Sequence, residues 1–138
     1  MANAKKFTMF EWERITRGDN SDYMWRLKLL VMPWFRIYLH IFVASDDECL
    51  HDHPWNFWSL ILWRGYWEVT PTGKKWYGPG RLLYRPASWK HQVVLPEEGK
   101  RTVTLCITTG KVRSWGFWTK MGEWIPWRKY QKNVHCAE

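Results

Sequence analysis

Trp34-Phe35-Arg36-Ile37-Tyr38-Leu39-His40-Ile41-Phe42-Val43 is the stretch from which the fold class follows. Phe35, Ile37, Leu39, Ile41 and Val43 are apolar, and Arg36, Tyr38 and His40 take intervening positions. Side chains of an extended chain alternate between its two faces, so this period of two specifies a strand. Arg36, Tyr38 and His40 share one face. A histidine and aromatics are odd company for solvent, so this face is expected to line an interior, with Tyr38 and His40 as candidate catalytic groups and Arg36 as a ligand for a substrate anion. The competing arrangement buries the aliphatic face instead.

Outward from this strand the pattern repeats in shorter pieces. Strand-like runs follow at Phe57 to Trp63, Tyr66 to Thr70, Arg81 to Arg85, Gln92 to Leu95 and Arg101 to Thr108. Glycines and prolines at Gly65, Pro71, Gly73, Gly78, Pro79, Gly80, Pro96 and Gly99 separate them. Many short strands with such turns make an all-β sandwich or barrel. The segment from Tyr23 to Val31 reads as a strand or a short helix, ended by Pro33. Met1 to Lys6 is expected to fray, and the aromatic, basic tail from Trp115 to Tyr130 has no assignable form. The 138 residues suit one domain, 1–138, with a core over about 34–108 and extensions packed on it.

His51-Asp52-His53 carries the chemistry. Residues two apart on an extended segment project to the same side, so both imidazoles can reach one ion. His91, just before the run from Gln92, is the natural third ligand. Asp52, between them, points away and serves as a turn residue or orients a neighbour.

These residues resemble the two motifs of the cupin superfamily. The first pairs His51-Asp52-His53 with Gly65; the second reads Gly80, Pro86, Ser88 and His91, with Ser88 in place of the inner glycine, and fourteen residues separate the glycines. The glutamate of the first motif would fall at Phe57 or Trp58, and neither binds metal. The resemblance implies a double-stranded β-helix, or jelly-roll, barrel with a three-histidine site similar to that of thiol dioxygenases. It implies a divalent metal, iron(II) first and zinc, nickel or manganese otherwise. Tyr38-Leu39-His40, Ser45-Asp46-Asp47, His51 to Trp55, Gly65 to Glu68 and Trp124 to Trp127 also resemble a group of small cupin-like proteins from phages and bacteria, which brings no activity with it. An iron-dependent oxygenase of a small anionic substrate is the expected function. A non-catalytic protein that sequesters an anionic small molecule or nucleotide, in the manner of phage counter-defence, is the alternative.

Composition bounds the partners. Lys and Arg number 21 against 13 Asp and Glu, a net charge of +8, which suits an anionic partner or a solvated basic surface. Arg64, Arg81 and Arg85 flank the motifs and could hold an anion at the barrel mouth; Trp55 could stack on it. Lys74 to Tyr77 and Trp127 to Tyr130 interleave bases and aromatics as single-stranded nucleic acid binders do. Thirteen tryptophans are expected to fill core and cavity walls. Glu68 is expected at the surface and Cys106 in the core. Three cysteines at wide spacings suggest a reduced, cytoplasmic chain. Neither a secretory leader nor a membrane span is expected, and homodimerisation through edge strands is in keeping with the resemblance.

Overall fold

The computed structural model describes residues 9–16, 21–97 and 99–135. The fraying expected of Met1 to Lys6 lies outside them. Among the described residues twelve strands follow one another: β1 Glu11–Thr16, β2 Asp22–Val31, β3 Phe35–Phe42, β4 Leu50–His51, β5 Phe57–Trp63, β6 Tyr66–Thr70, β7 Gly73–Tyr77, β8 Leu82–Arg85, β9 Gln92–Val94, β10 Thr102–Thr109, β11 Gly116–Trp118 and β12 Trp124–Pro126. A 3-10 turn at Trp127–Lys129 and one helical turn at Lys132–His135 close the chain. The ambiguous segment before Pro33 is therefore a strand, and the tail contributes two more.

One layer is a six-stranded antiparallel sheet in the order β1-β2-β3-β10-β5-β8. The other consists of two three-stranded sheets, β12-β11-β4 and β7-β6-β9. They meet where His51 and His91 exchange backbone hydrogen bonds of 2.9 and 3.0 Å. Two facing layers of antiparallel strands make an all-β jelly roll.

Alternation decides which faces meet. On β3 Tyr38, His40 and Phe42 are buried, and their partners on β10, Cys106, Thr104 and Thr102, are buried too. The polar face of the opening stretch thus lines the interior, and the aliphatic face looks outward. Met24, Phe42, Ile61, Tyr66, Tyr77, Leu83, Val93 and Leu95 form the apolar core, with Ile61 fully enclosed. Each such side chain contributes on the order of 1.5–3 kcal/mol on burial.

Both motif glycines sit at backbone angles that L side chains rarely adopt. Gly65 has φ +105° and turns β5 into β6 so tightly that a Cβ there would stand 2.4 Å from the Tyr77 carbonyl oxygen; Gly80 has φ +91°. A side chain at Gly65 would break the turn that aligns the two layers.

Two expectations, on the tryptophans and the cysteines, are corrected. No tryptophan is in the buried core: Trp12, Trp34, Trp58, Trp63, Trp76 and Trp127 are exposed, and the others are half-buried. The inner positions are held instead by Tyr38, Phe42, Phe57, Tyr66 and Tyr77, with smaller or branched groups such as Ser59, Thr104 and Ile61 between them. Lys74 to Tyr77 falls within β7, an edge strand on which Lys74, Lys75 and Trp76 are exposed. Cys49 is disulfide-bonded, whereas Cys106 is a buried free thiol, so the chain is not wholly reduced. Among the described residues no helix is long and apolar enough to cross a membrane.

Candidate metal centre

His51 is brought to the inside by β4, which pairs with β11 through Phe117 and with His91 through the bridge between the sheets. His53 lies two residues on, held where its backbone N–H donates to the Ala87 carbonyl at 3.0 Å. Asn56 secures the same junction by accepting a 2.7 Å bond from the Ala87 N–H. The two motifs are thus stitched together by their backbones, and all three rings converge.

One nitrogen from each of His51, His53 and His91 lies within 4.8 Å of the others. The Nε2 atoms of His53 and His91 are 3.2 Å apart. His91 Nδ1 is 2.7 Å from the Glu68 carboxylate, which can only accept, so Nδ1 carries the hydrogen and Nε2 presents its lone pair. His51 Nδ1 lies 3.5 Å from Asp46, which turns its Nε2 the other way. His53 Nδ1 is buried with no hydrogen-bond partner. Lone pairs that face one another repel unless a proton or a cation lies between them. A separation of 3.2 Å is what adjacent ligands each ~2.1 Å from one ion would have, so the donor set fits a metal.

The electrostatics favour neutral ligands. Burial lowers His51 to about 4, against the pull of Asp46. Burial also drives His53 well below its ordinary value, reinforced by His91 and His51. Imidazoles that stay unprotonated near neutrality keep their lone pairs available.

Glu68 is the group that sequence reasoning misplaced. It is 2% exposed. Its carboxylate accepts from Arg85 at 2.6 and 3.0 Å and from the Trp89 indole at 3.0 Å, besides its bond to His91. Burial raises its pKa, but the bonds from His91 and Arg85 outweigh that and hold it at about 2. It therefore remains an anion that orients a ligand rather than being one. Phe57 and Trp58 supply no carboxylate: Phe57 packs on the His53 ring at 4.7 Å, and Trp58 faces outward. Asp52 also does more than form a turn. It is 1% exposed and accepts from the Gly116 N–H at 2.8 Å and from the Trp118 and Trp124 indoles at 3.1 Å, with Arg113 at 3.0 Å. The tail is thereby fastened behind the histidines, where Trp115 and Phe117 flank the His51 ring.

The other expected site residues divide. Tyr38 and His40 lie on the inner face with rings stacked at 5.5 Å, and His40 Nε2 accepts from Arg26 Nε at 3.2 Å. Neither belongs to the three-histidine group. Arg36 donates to the Met32 carbonyl at 3.2 Å and lies over the half-buried Trp55 ring at 5.5 Å; Trp55 in turn packs against Tyr38. Arg85, expected at the barrel mouth, is committed instead to Glu68, because a buried guanidinium needs a carboxylate. Arg64 occupies the exposed β5–β6 turn at φ +70°, over Trp63, and Arg81 lies over Tyr77. Both are exposed.

Two cations were overlooked. Arg26 and Lys28 pair across β2 and β3 with His40 and Tyr38, on the inner face, with Glu13 at 3.4 and 3.8 Å. Their alternation with Met24 was the signal, hidden by the strand-or-helix ambiguity.

No family model matches the chain, and no curated protein matches it. Among solved structures it is similar to a cupin-2 domain from Rhodospirillum rubrum, with TM-score 0.66 and 13% identity over 81% of this chain and 77% of that one. It is also similar to the DMSP lyase DddQ from Ruegeria pomeroyi, with TM-score 0.58 and 14% identity over 75% of this chain and 58% of that one. An iron(II) form of HppE gives TM-score 0.57 and 14% identity over 72% and 55%. The chain spans little more than half the length of these two enzymes. At such identities the likeness concerns architecture alone, and it settles that architecture: this chain has the cupin fold, with a three-histidine cluster where its two motifs meet.

Proposed function

We propose that this protein is a mononuclear metal cupin enzyme, an iron(II)-dependent oxygenase of a small anionic substrate. The convergence of three neutral imidazoles, with Glu68 orienting His91, carries the reading. An ion held by three nitrogens keeps its full charge and open positions, and when bound it would supply Lewis acidity and a place for dioxygen beside substrate. The inner face of β2 and β3 supports the anionic class, since Arg26, Lys28 and Arg36 all project there. Arg36 and Trp55 would clamp and cover the substrate. Burial raises the Tyr38 pKa, so its phenol stays a hydrogen-bond donor. Burial, followed by the Arg26 charge, keeps His40 unprotonated, and its Nε2 already faces a donor. Its role is to fix the Arg26 guanidinium.

Protein loaded anaerobically with iron(II) and then exposed to oxygen should deplete one member of a panel of small carboxylates, phosphonates and thiols, with matching oxygen uptake. Capture without turnover is the second reading, favoured by the cation-rich inner face beside Trp55. Bound ligand recovered unchanged from fully loaded protein, with no oxygen consumed, would decide for it.

A further inference from the structure

The outer face of the two smaller sheets interleaves indoles with lysines, none of which the metal centre uses. On β7 and β6 the cross-strand partners Trp76 and Trp67 have ring centroids 5.5 Å apart. Lys74, two residues from Trp76 and so on the same face of β7, holds its Nζ 4.8 Å from the Trp67 ring centroid. Trp76 itself is 39% exposed on this edge strand. Beyond the His51–His91 bridge to the next sheet the arrangement recurs, with Lys90 Nζ over the Trp118 ring of β11 at 4.0 Å. A recess of about 260 Å³ runs from Pro71 in the β6–β7 turn to Lys90, Trp118 and Lys120. Among the described residues Glu48 is the one acid along it. Of the residues in β4, β6, β7, β9, β11 and β12, only Glu68 is acidic, and it is buried on the inner face.

We propose that this face binds single-stranded nucleic acid, with one base stacked on Trp76, another in the recess beside Trp118, and phosphates met by Lys74, Lys90 and Lys120. Repeated pairing of an indole with an ammonium group supplies what an unpaired strand offers in alternation, a flat base and a charged phosphate. A duplex hides its base faces, so the indoles favour the open strand. Six strands at about 4.8 Å span roughly 24 Å of surface, which suits a short site of about four nucleotides. The net charge of +8 draws a polyanion towards the chain. The inward turn of Glu68 leaves these strands without an exposed acid to oppose it. An anionic bilayer would need apolar side chains that reach past the lysines, whereas Trp67 and Trp118 are half-buried beneath theirs. This site lies on the opposite face of its sheets from the three histidines and does not depend on the reaction proposed for them.

Fluorescence anisotropy of end-labelled oligo(dT) and oligo(U), titrated with the full chain, tests this. Wild type should bind one or both, the tighter naming DNA or RNA, and should bind a duplex of equal length about tenfold more weakly. Lys74→Glu and Lys90→Glu should each flatten the plot of log affinity against log salt by about 0.7, the loss of one single-strand phosphate contact. Trp76→Ala should weaken binding about tenfold, as loss of one stacked base does, and Trp76→Phe should restore most of it. Arg14→Glu makes the same charge change on the other layer and should bind as wild type does, and all variants should keep the wild-type circular dichroism. Four results would overturn the proposal: no binding of either oligonucleotide, equal binding of the duplex, a loss in Arg14→Glu equal to that in Lys74→Glu, or association with anionic vesicles in place of the oligonucleotides. The duplex comparison requires no variant to fold.

Discussion

Glu68 is buried against one histidine, one arginine and one indole, and its removal separates orienting from ligating roles. Glu68→Gln should weaken metal binding roughly 10–100-fold, the usual effect of losing a carboxylate behind a ligating histidine. It should also destabilise the fold by about 3–5 kcal/mol, because Arg85 is left as an uncompensated charge. Competition against a chelator dye reads the first and denaturant unfolding the second; unchanged metal affinity would remove Glu68 from the site. The same residue marks the limit of sequence reading. His51 and His53 were legible because two positions on one extended segment already imply convergence. Glu68 was not, since its burial depends on Arg85, 17 positions away on the other layer.

Buried histidines also set a pH dependence for the metal-free protein. His40, His51 and His53 all have depressed pKa values when folded, His51 at about 4. Unfolded, they titrate near ~6.5, so below that the unfolded chain binds more protons. Stability should be full above about 6.5 and fall towards pH 4, by up to ~1.4 kcal/mol per pH unit for each histidine. Urea midpoints measured in chelator between pH 7.5 and 4.5 check this. A flat profile would mean that the rings are not buried neutral.

Among the elements, the junction of β4, β9 and β11 matters most, because it joins the two smaller sheets and carries two of the three histidines. Asp52 holds β11 and β12 to it through one backbone N–H and two indoles. Asp52→Ala leaves these donors unsatisfied and should cost about 3 kcal/mol, visible as a lowered thermal midpoint. Metal affinity should fall less than in Glu68→Gln; an equal fall would make the tail part of the ligand geometry. Strands with clean alternation, β3, β5, β6 and β10, were legible almost to the residue. β1 and β2 were not, because Glu13, Arg26 and Lys28 project inward and blur the apolar period. β7 escaped because Lys74 and Lys75 lie on an exposed edge, where pattern follows solvent.

For the whole molecule, two properties of the sequence are reassigned. The tryptophans, expected inside, lie on or near surfaces. The net charge, which composition could attach to any anion, includes Arg26, Lys28 and Arg36 on the inner face, where the proposed substrate anion would bind. Arg26→Met and Arg36→Met should each weaken binding of an anionic substrate about tenfold or more, as loss of one charged hydrogen bond does, and leave metal content unaltered. Isothermal titration of metal-loaded protein distinguishes the two.

The central claim is that His51, His53 and His91 hold one ion. Elemental analysis of untagged protein, loaded with iron(II) under anaerobic conditions and desalted, measures it most directly. About one metal per wild-type chain is expected, with loss in folded His51→Ala and His91→Ala and retention in His40→Ala. A wild type without stoichiometric metal, or alanine variants that keep it, would contradict the account.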